Sequence, residues 1–242
     1  MINNQLAELI KSLSDDQYIG HGNSNSNILF IGKEAGLEIG SEIYHGSVKS
    51  WRDNVDYSKP YIPEDKKIRN QNHTWFRYQK LYDYILEKLE LNKQTIKKDK
   101  YEVSFVENVF TTELSSLPAP NTNDAKKQGN FSKELLNRKK SFFMSSFIQK
   151  FPVILIFATD NKYIETYSGE VCELFNVEFN RQINCSDRDK IWVHYSKKDA
   201  TNNPKLVLHT RQLTNSISKD LISNIGDEVV DFMNKNNISL TG

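Results

Sequence analysis

Two hydrophobic patterns alternate along this chain. Residues 28–32 and 151–158 are short, continuous apolar runs, with the length and β-branched content of strands that are buried on both faces. Over 75–89 and 217–232, apolar residues instead recur at three- and four-residue steps, which is typical of amphipathic helices. Strands separated by helices indicate a parallel sheet with helices on both faces.

Weaker patterns of the same two kinds predict the remaining elements. Further helices are predicted at 6–13, 135–148 and 159–169. Further strands are predicted at 101–110 and 205–209, and a polar loop at 121–130. The segments 177–183 and 191–195 are predicted to be strands or a ribbon joined by a polar turn. No internal repeat is visible, so we expect one domain over residues 1–242. The predicted fold is a three-layer α/β/α sandwich whose central, mainly parallel sheet has about four strands.

The segment 38–73 has little periodicity and carries several aromatic residues among charged ones. Loops of this length inside a compact domain are usually functional or disordered, and the aromatic content argues against disorder. We therefore expect a structured lid or binding loop here.

Composition narrows the class of protein. The chain has 242 residues, of which 38% are hydrophobic and 26% charged, and no apolar run approaches the ~18 residues of a membrane span. The formal net charge of +1 gives no overall attraction to nucleic acid, so binding to DNA would depend on local basic patches. The first residues lack the apolar core of a signal peptide.

Two cysteines, Cys172 and Cys185, are too few for a four-thiolate metal or iron–sulfur site. They can pair with each other, but a reduced, cytoplasmic chain is the simpler interpretation. The sequence therefore predicts no metal, no cofactor and no membrane association, and we expect a monomer.

The first candidate for chemistry follows the strand at 28–32. Gly32 ends this strand, Lys33 and Glu34 follow, and Gly36 is a second glycine. Ligands of open α/β sheets bind beyond the carboxyl ends of the strands, and flanking glycines let the backbone turn tightly and approach a substrate. Glu34 is thus a candidate catalytic carboxylate, although a solvated loop after a core strand is the alternative.

His209 closes the last predicted strand. A carboxylate and a histidine at one edge of a parallel sheet are suited to activating water and to stabilising a developing anion. The alternative for His209 is a role in packing or capping.

Four segments, taken in order, resemble motifs of the uracil-DNA glycosylase superfamily. The stretch Phe-Ile-Gly-Lys-Glu-Ala-Gly at 30–36 is similar to the first motif, and 75–86 resembles the helix that follows it. Asn-Val at 108–109, with the proline-rich turn after it, is similar to the second-strand segment of the thermophile-type members. His-Thr-Arg-Gln-Leu at 209–213 has the spacing of the last motif.

This resemblance implies hydrolysis of the bond between the sugar and a flipped base in DNA. Glu34 would orient or activate water, and His209 would donate a hydrogen bond to the base as negative charge develops on it. Trp75 or Phe76 would stack on the base, and Asn108 would bind its edge through an amide donor and acceptor.

The remaining implied roles concern the pocket and the DNA. Gly32 and Gly36 would line the base pocket, and Gly36 replaces the tyrosine that excludes thymine in the family, so a larger base can enter. Leu213 would enter the minor groove as a wedge. The implied phosphate contacts are Lys33, Lys49, Arg52 and Arg211.

The chain also departs from these motifs. Ala35 replaces a proline, Thr210, Arg211 and Gln212 replace two prolines and a serine, and the cluster-binding cysteines are absent. Three functions therefore stay open: a DNA glycosylase, a catalytically degenerate nucleic-acid-binding protein on the same fold, and a hydrolase of free nucleosides or nucleotides. A continuous basic track would favour the second, and a buried Leu213 would favour the third.

Overall fold

The computed structural model describes residues 4–37, 39–40, 45–54, 56, 59–62, 74–90, 103–197, 203–214 and 217–241. The helices are α1 (Asn4–Ser12), α2 (Val48–Asn54), α3 (Thr74–Lys88), α4 (Thr122–Lys127), α5 (Phe131–Arg138), α6 (Ser146–Gln149), α7 (Glu170–Phe175) and α8 (Lys219–Lys235). The strands are β1 (His21–Gly22), β2 (Ile28–Gly32), β3 (Phe110–Glu113), β4 (Val153–Phe157), β5 (Val177–Asn184), β6 (Lys190–Ser196) and β7 (Leu206–Thr210).

All of these strands belong to one mixed sheet in the order β1-β3-β2-β4-β7-β6-β5. Strands β3, β2, β4 and β7 run parallel to one another, whereas β1, β6 and β5 extend the two edges in antiparallel pairings. The α/β prediction thus agrees with the structure. The sheet has seven strands where about four were predicted, because the antiparallel edge strands add to the four parallel ones.

Helices cover both faces of the sheet and form three layers. Along β2, Ile28 and Phe30 pack with residues of α3 and α8, whereas Leu29 and Ile31 pack with residues of α1, α2 and α5 to α7 on the opposite face. Because side chains alternate between two buried faces, β2, β4 and β7 are buried at every position, and this explains their continuous apolar runs.

The structure corrects several predicted boundaries. The strand predicted at 101–110 is instead β3, which begins at Phe110 because a 3₁₀ turn over Phe105–Glu107 precedes it; Tyr101 and Glu102 lie outside the described residues. The loop predicted at 121–130 contains α4, whose first turn is capped by the Asn121 side chain accepting from the Asp124 amide at 3.0 Å.

Two predicted helices also differ. The helix predicted at 135–148 is divided into α5, a π-helical turn over Lys139–Phe143, and α6. The stretch 159–169 forms turns, and the helix begins only after Gly169, whose φ of +87° is in the left-handed region.

Part of the predicted lid at 38–73 is described, and it contains α2. Residues 38, 41–44, 55, 57–58 and 63–73 lie outside the described residues, so the lid role stays a prediction. In the described part of the chain, no helix combines the length and apolarity required to cross a bilayer.

Candidate active site

Two glutamates meet at the carboxyl ends of the adjacent parallel strands β2 and β3. Gly32, the last residue of β2, pairs in register with Glu113, the last residue of β3, and Glu34 follows Gly32 by two residues. The sheet therefore brings two carboxyl groups to the same edge, where ligands of α/β proteins bind.

The Glu113 carboxyl lies over Gly32. A Cβ at position 32 would be 2.1 Å from Oε2 of Glu113, so the carboxyl occupies the space that any other residue at position 32 would fill. Burial, followed by the negative charge of Glu34, raises the pKa of Glu113 to about 8, although the Arg138 guanidinium acts in the opposite direction. Glu113 is therefore protonated at neutral pH and can donate a proton.

Arg138 fixes the backbone beneath this carboxyl. Its Nε donates to the Glu113 carbonyl oxygen at 2.9 Å, and its Nη2 donates to the Thr112 hydroxyl at 2.9 Å. The guanidinium is buried and lies 4.1 Å from the centroid of the Phe142 ring. These contacts connect α5 to the end of β3 and fix the position from which Glu113 projects.

One carboxylate oxygen of Glu34 is hydrogen-bonded, and the other has no hydrogen-bond partner among the described residues. Its Oε1 accepts a hydrogen bond from the Thr122 hydroxyl in α4 at 2.9 Å. Its Oε2 is buried and has no hydrogen-bond partner among the described residues. Since buried polar atoms are almost always hydrogen-bonded, this oxygen is the atom of Glu34 that can bind water or substrate.

Tyr163, which follows β4, brings a hydroxyl to the same place. The side chain is fully buried, and its hydroxyl makes no hydrogen bond within the described part of the chain. Burial and the nearby Glu34 carboxylate raise the pKa of Tyr163 far above its usual range, although the two groups do not meet hydrogen-bond geometry. Tyr163 is therefore a neutral hydroxyl at any physiological pH.

Cations balance the negative charge at this edge. The Lys33 ammonium lies 5.8 Å from the centroid of the Tyr163 ring, and Lys126 donates to Asp160 at 2.7 Å. Burial acts to raise the pKa of Asp160, but the hydrogen bonds and charges around it, led by Lys126, lower it overall. Lys33 thus lies beside Tyr163, and its charge helps to lower the pKa of Asp160.

An aromatic group lies beside β1, where His21 pairs in register with Thr111, two residues before Glu113. His21 is 5.8 Å, centroid to centroid, from the stacked Tyr61 ring and from the edge-on Trp75 ring. Its Nδ1 is 3.1 Å from the Tyr18 hydroxyl, while its buried Nε2 has no partner among the described residues. Burial, assisted by His45, lowers the pKa of His21 to about 3, so the ring is neutral.

Two more buried hydroxyls without a described partner lie on this side of the sheet. Thr111 precedes Glu113 by two residues and so faces the same side, and Tyr78 is close enough for Glu113, after burial, to raise its pKa. The carboxyl pair is thus surrounded by polar groups that a bound ligand can satisfy. The described residues hold no group of three or more side chains suited to a metal ion.

His209 lies at the same edge of the sheet, but its Nε2, which was predicted to donate to a base, is already hydrogen-bonded within the protein. Its Nε2 donates to the Ala158 carbonyl, and burial lowers the pKa of the ring to about 4, so His209 is neutral and only Nδ1 remains as an acceptor. Strand β4 separates β7 from β2, which places the strand axes about 10 Å apart. A hydrogen bond from Nε2 to a base would therefore require its bond to Ala158 to break.

Asn108 lies at the wrong end of the sheet for the predicted contact with a base. It precedes β3, its carbonyl accepts from the Ser26 hydroxyl at 2.6 Å, and its side chain donates to Tyr82 at 2.7 Å. Glu34 and Glu113 lie at the opposite ends of these strands, roughly 16 Å away along the chain direction of β3. Asn108 was expected at the site from the resemblance of Asn-Val at 108–109 to a family motif, whereas β3 begins only at Phe110.

Three residues that were expected to contact DNA instead contact other residues of the protein. Leu213 is fully buried among residues of α3, α8 and the sheet, so it does not project as a wedge. Arg211 pairs with the buried Asp189 at 3.1 Å. Arg52 pairs with Asp15 and donates to the Ile10 carbonyl at 2.7 Å, which fixes α2 to the end of α1.

The remaining residues that were predicted to bind the base or DNA lie in different surroundings. Trp75 belongs to the aromatic group described above, whereas the Phe76 ring lies 4.8 Å from the Lys80 ammonium. Lys49 is exposed on α2. Gly36 is exposed, and a Cβ there would meet nothing within 4 Å, so its glycine has no steric requirement in the described structure.

Four residues that complete the site were not predicted from the sequence. They are Glu113, Tyr163, Thr122 and His21. Of these, only Glu113 has a signal in the sequence, because it is a carboxylate at the end of a strand, and that strand end pairs with Gly32. Comparisons with protein-family models, with curated proteins and with solved structures find no match to this chain.

Proposed function

We propose that this protein is a hydrolase that cleaves an N-glycosidic bond, and that a modified base in DNA is the first candidate substrate. The observation that carries the proposal is the pair of carboxyl groups at the ends of β2 and β3, in which Glu113 holds a proton at neutral pH beside Glu34. Two carboxyl groups with different protonation states are suited to acid–base hydrolysis of a glycosidic bond.

In the proposed reaction, the free Oε2 of Glu34 accepts a proton from a water molecule as the water oxygen forms a bond to the anomeric carbon of the sugar. The bond from that carbon to the base nitrogen breaks, and the electron pair stays with the base. Glu113 donates its proton to the departing base, and the Tyr163 hydroxyl supplies a further hydrogen bond beside Glu34.

The aromatic group supplies a surface for the base. Stacking of a base on an aromatic ring contributes roughly 1–3 kcal/mol, and Tyr61 and Trp75 flank His21 at this edge. In this proposal the edge of the base would bond to Nε2 of His21 and to the hydroxyl of Tyr78, two buried groups without a hydrogen-bond partner among the described residues. This set of groups replaces Asn108 as the proposed means of recognising a base.

Free nucleosides or nucleotides are the second candidate substrate. The burial of Leu213 favours them, because DNA glycosylase action on a duplex requires a residue to replace the flipped base. The pairing of Arg211 and Arg52 with carboxylates also reduces the positive charge available for a DNA backbone.

The proposal is tested by measuring base release from two sets of substrates. The first set is single- and double-stranded oligonucleotides that each carry one modified base, including uracil, hypoxanthine, xanthine and oxidised guanine, and the second is the corresponding nucleosides and nucleotides. We expect release from at least one set, with losses of about 100- to 10,000-fold in Glu34→Gln and in Glu113→Gln.

Each outcome is informative. Release from oligonucleotides alone supports a DNA glycosylase, and release from nucleosides alone supports the second candidate. The absence of release from every substrate, together with salt-sensitive binding of DNA, would contradict hydrolysis and favour a degenerate binding protein. Release that persists in both glutamine variants would contradict the assignment of the carboxyl pair.

A further inference from the structure

A second cleft lies at the opposite edge of the sheet, beneath the amino ends of the parallel strands. Asn27 precedes β2, Pro152 precedes β4 and Lys205 precedes β7, and all three line the cleft, whose volume is about 760 Å³. This volume is in the range of sites that hold small organic ligands. The length of β2 separates the cleft from Glu34, so the cleft is not part of the candidate active site.

The lining of this cleft is polar and positively charged. Lys150 and Lys205 are the two charged side chains among the described residues that line it, and no carboxylate is among them. The other polar groups of the described lining are neutral amides and hydroxyls, among them Asn27, Gln149, Asn176 and Ser196. Cations surrounded by neutral hydrogen-bonding groups form an environment that favours an anion.

Both ammonium groups are half-buried and bind only neutral groups in the described structure. Lys150 donates to the Ser24 carbonyl and lies 5.0 Å from the centroid of the Phe147 ring. Lys205 donates to the Gln149 side-chain oxygen at 3.0 Å and to the Phe175 carbonyl at 3.4 Å. Burial lowers the pKa of each lysine to about 8.

Two desolvated cations that share one cleft without a carboxylate are unfavourable in the empty protein, because burial of an uncompensated charge costs free energy. An anion that contacts both would remove this penalty. Each ammonium carries three donors, and the described hydrogen bonds use one on Lys150 and two on Lys205. Both groups therefore retain a donor for a ligand.

We propose that this cleft binds a small organic phosphate of nucleotide size, with Lys150 and Lys205 contacting its phosphate groups. Phosphate offers several acceptor oxygens and more than one negative charge, which matches two lysines among hydroxyl and amide donors better than a single carboxylate does. The site is separate from the carboxyl pair, and the inference does not depend on hydrolysis at the other edge.

The test uses isothermal titration calorimetry of the full chain with three probes: inorganic pyrophosphate, ATP and single-stranded oligothymidylate. Lys150→Gln and Lys205→Gln are compared with Lys133→Gln, which changes an exposed lysine on α5 in the same way. We expect ATP or pyrophosphate to bind the wild type, at least tenfold weaker binding in each cleft variant, and unchanged binding in the control.

Thermal unfolding separates loss of the site from loss of the fold. The two cleft variants should still unfold cooperatively without ligand, and ATP should no longer raise their Tm. Lys205→Arg, which keeps the charge, should retain binding.

Three results would overturn the inference: no saturable binding of any probe at millimolar concentration, binding that both cleft variants leave unchanged, or binding of oligothymidylate alone. The last result would identify the phosphate source as a nucleic-acid backbone instead of a small molecule.

Discussion

Gly32 and Glu113 are register partners at the ends of β2 and β3, and the Glu113 carboxyl fills the volume in which a side chain at position 32 would lie. Glycine at this position is therefore a condition for the placement of Glu113. The sequence shows Gly32 as the end of a strand, but its steric role depends on a residue eighty-one positions later in the chain.

Gly32→Ala should displace the Glu113 carboxyl and leave the fold intact, because the atom that a Cβ would meet is the end of a flexible side chain. We expect base release to fall roughly 100-fold, the size of effect that a misplacement of about 1 Å produces. Gly36→Ala is the matched control, since a Cβ at Gly36 meets nothing within 4 Å. Equal activity in the two variants would show that the position of Glu113 is unimportant.

Glu113 should make the protein less stable as pH rises. Its folded pKa of about 8 is above the ordinary value of 4.5, so the folded state holds a proton that the unfolded state has lost between these pH values. The free energy of unfolding should therefore fall across this interval. Urea unfolding should show Glu113→Gln gaining stability over the wild type from pH 4.5 to 8, with a constant difference above pH 8. A pH-independent difference would contradict the raised pKa.

The buried histidines should make the protein less stable in acid. The folded pKa of His209, about 4, is below the ordinary value of 6.5, so stability is fully present above pH 6.5 and is lost as pH falls toward 4. His209→Gln should reduce this loss in urea unfolding. An unchanged acid slope in His209→Gln would indicate that His209 is already solvated and free to titrate.

Leu213→Ala distinguishes a core residue from a DNA wedge. Because Leu213 is fully buried, we expect a loss of about 2–5 kcal/mol in the free energy of unfolding. Leu136→Ala, at an exposed leucine, should change it by less than about 0.5 kcal/mol. Base release per folded molecule should be unaffected. A normal stability together with lost activity on duplex DNA would show that Leu213 leaves the core to act as a wedge.

The sequence predicted the parts of the fold that depend on local periodicity. Continuous apolar runs mark β2 and β4, because these strands are buried at every position. Apolar residues at helical spacing mark α3 and α8, because each of these helices buries one face. The edge strand β1 and helix α4 were missed because their positions depend on long-range pairing with β3 and on one capping side chain.

The candidate site was less predictable than the fold. Glu34 and Lys33 were selected because they directly follow a strand, whereas Glu113 was missed because the second strand was predicted to end at residue 110, where β3 begins. Asn108 was selected from a resemblance between motifs, which does not fix its position along the strand. Tyr163 and Thr122 reach Glu34 only through tertiary packing, for which the local sequence carries no signal.

The most direct test of the carboxyl pair requires no substrate. The side-chain carboxyl carbon of Glu113 is followed by NMR during a pH titration of the wild type and of Glu34→Gln. A pKa near 8 in the wild type is predicted, with a lower pKa in the variant, because the charge of Glu34 is one of the two causes that raise it. A Glu113 that titrates near 4.5 in the wild type would show that this carboxyl group is ionised at neutral pH, and the proposed general acid would not exist.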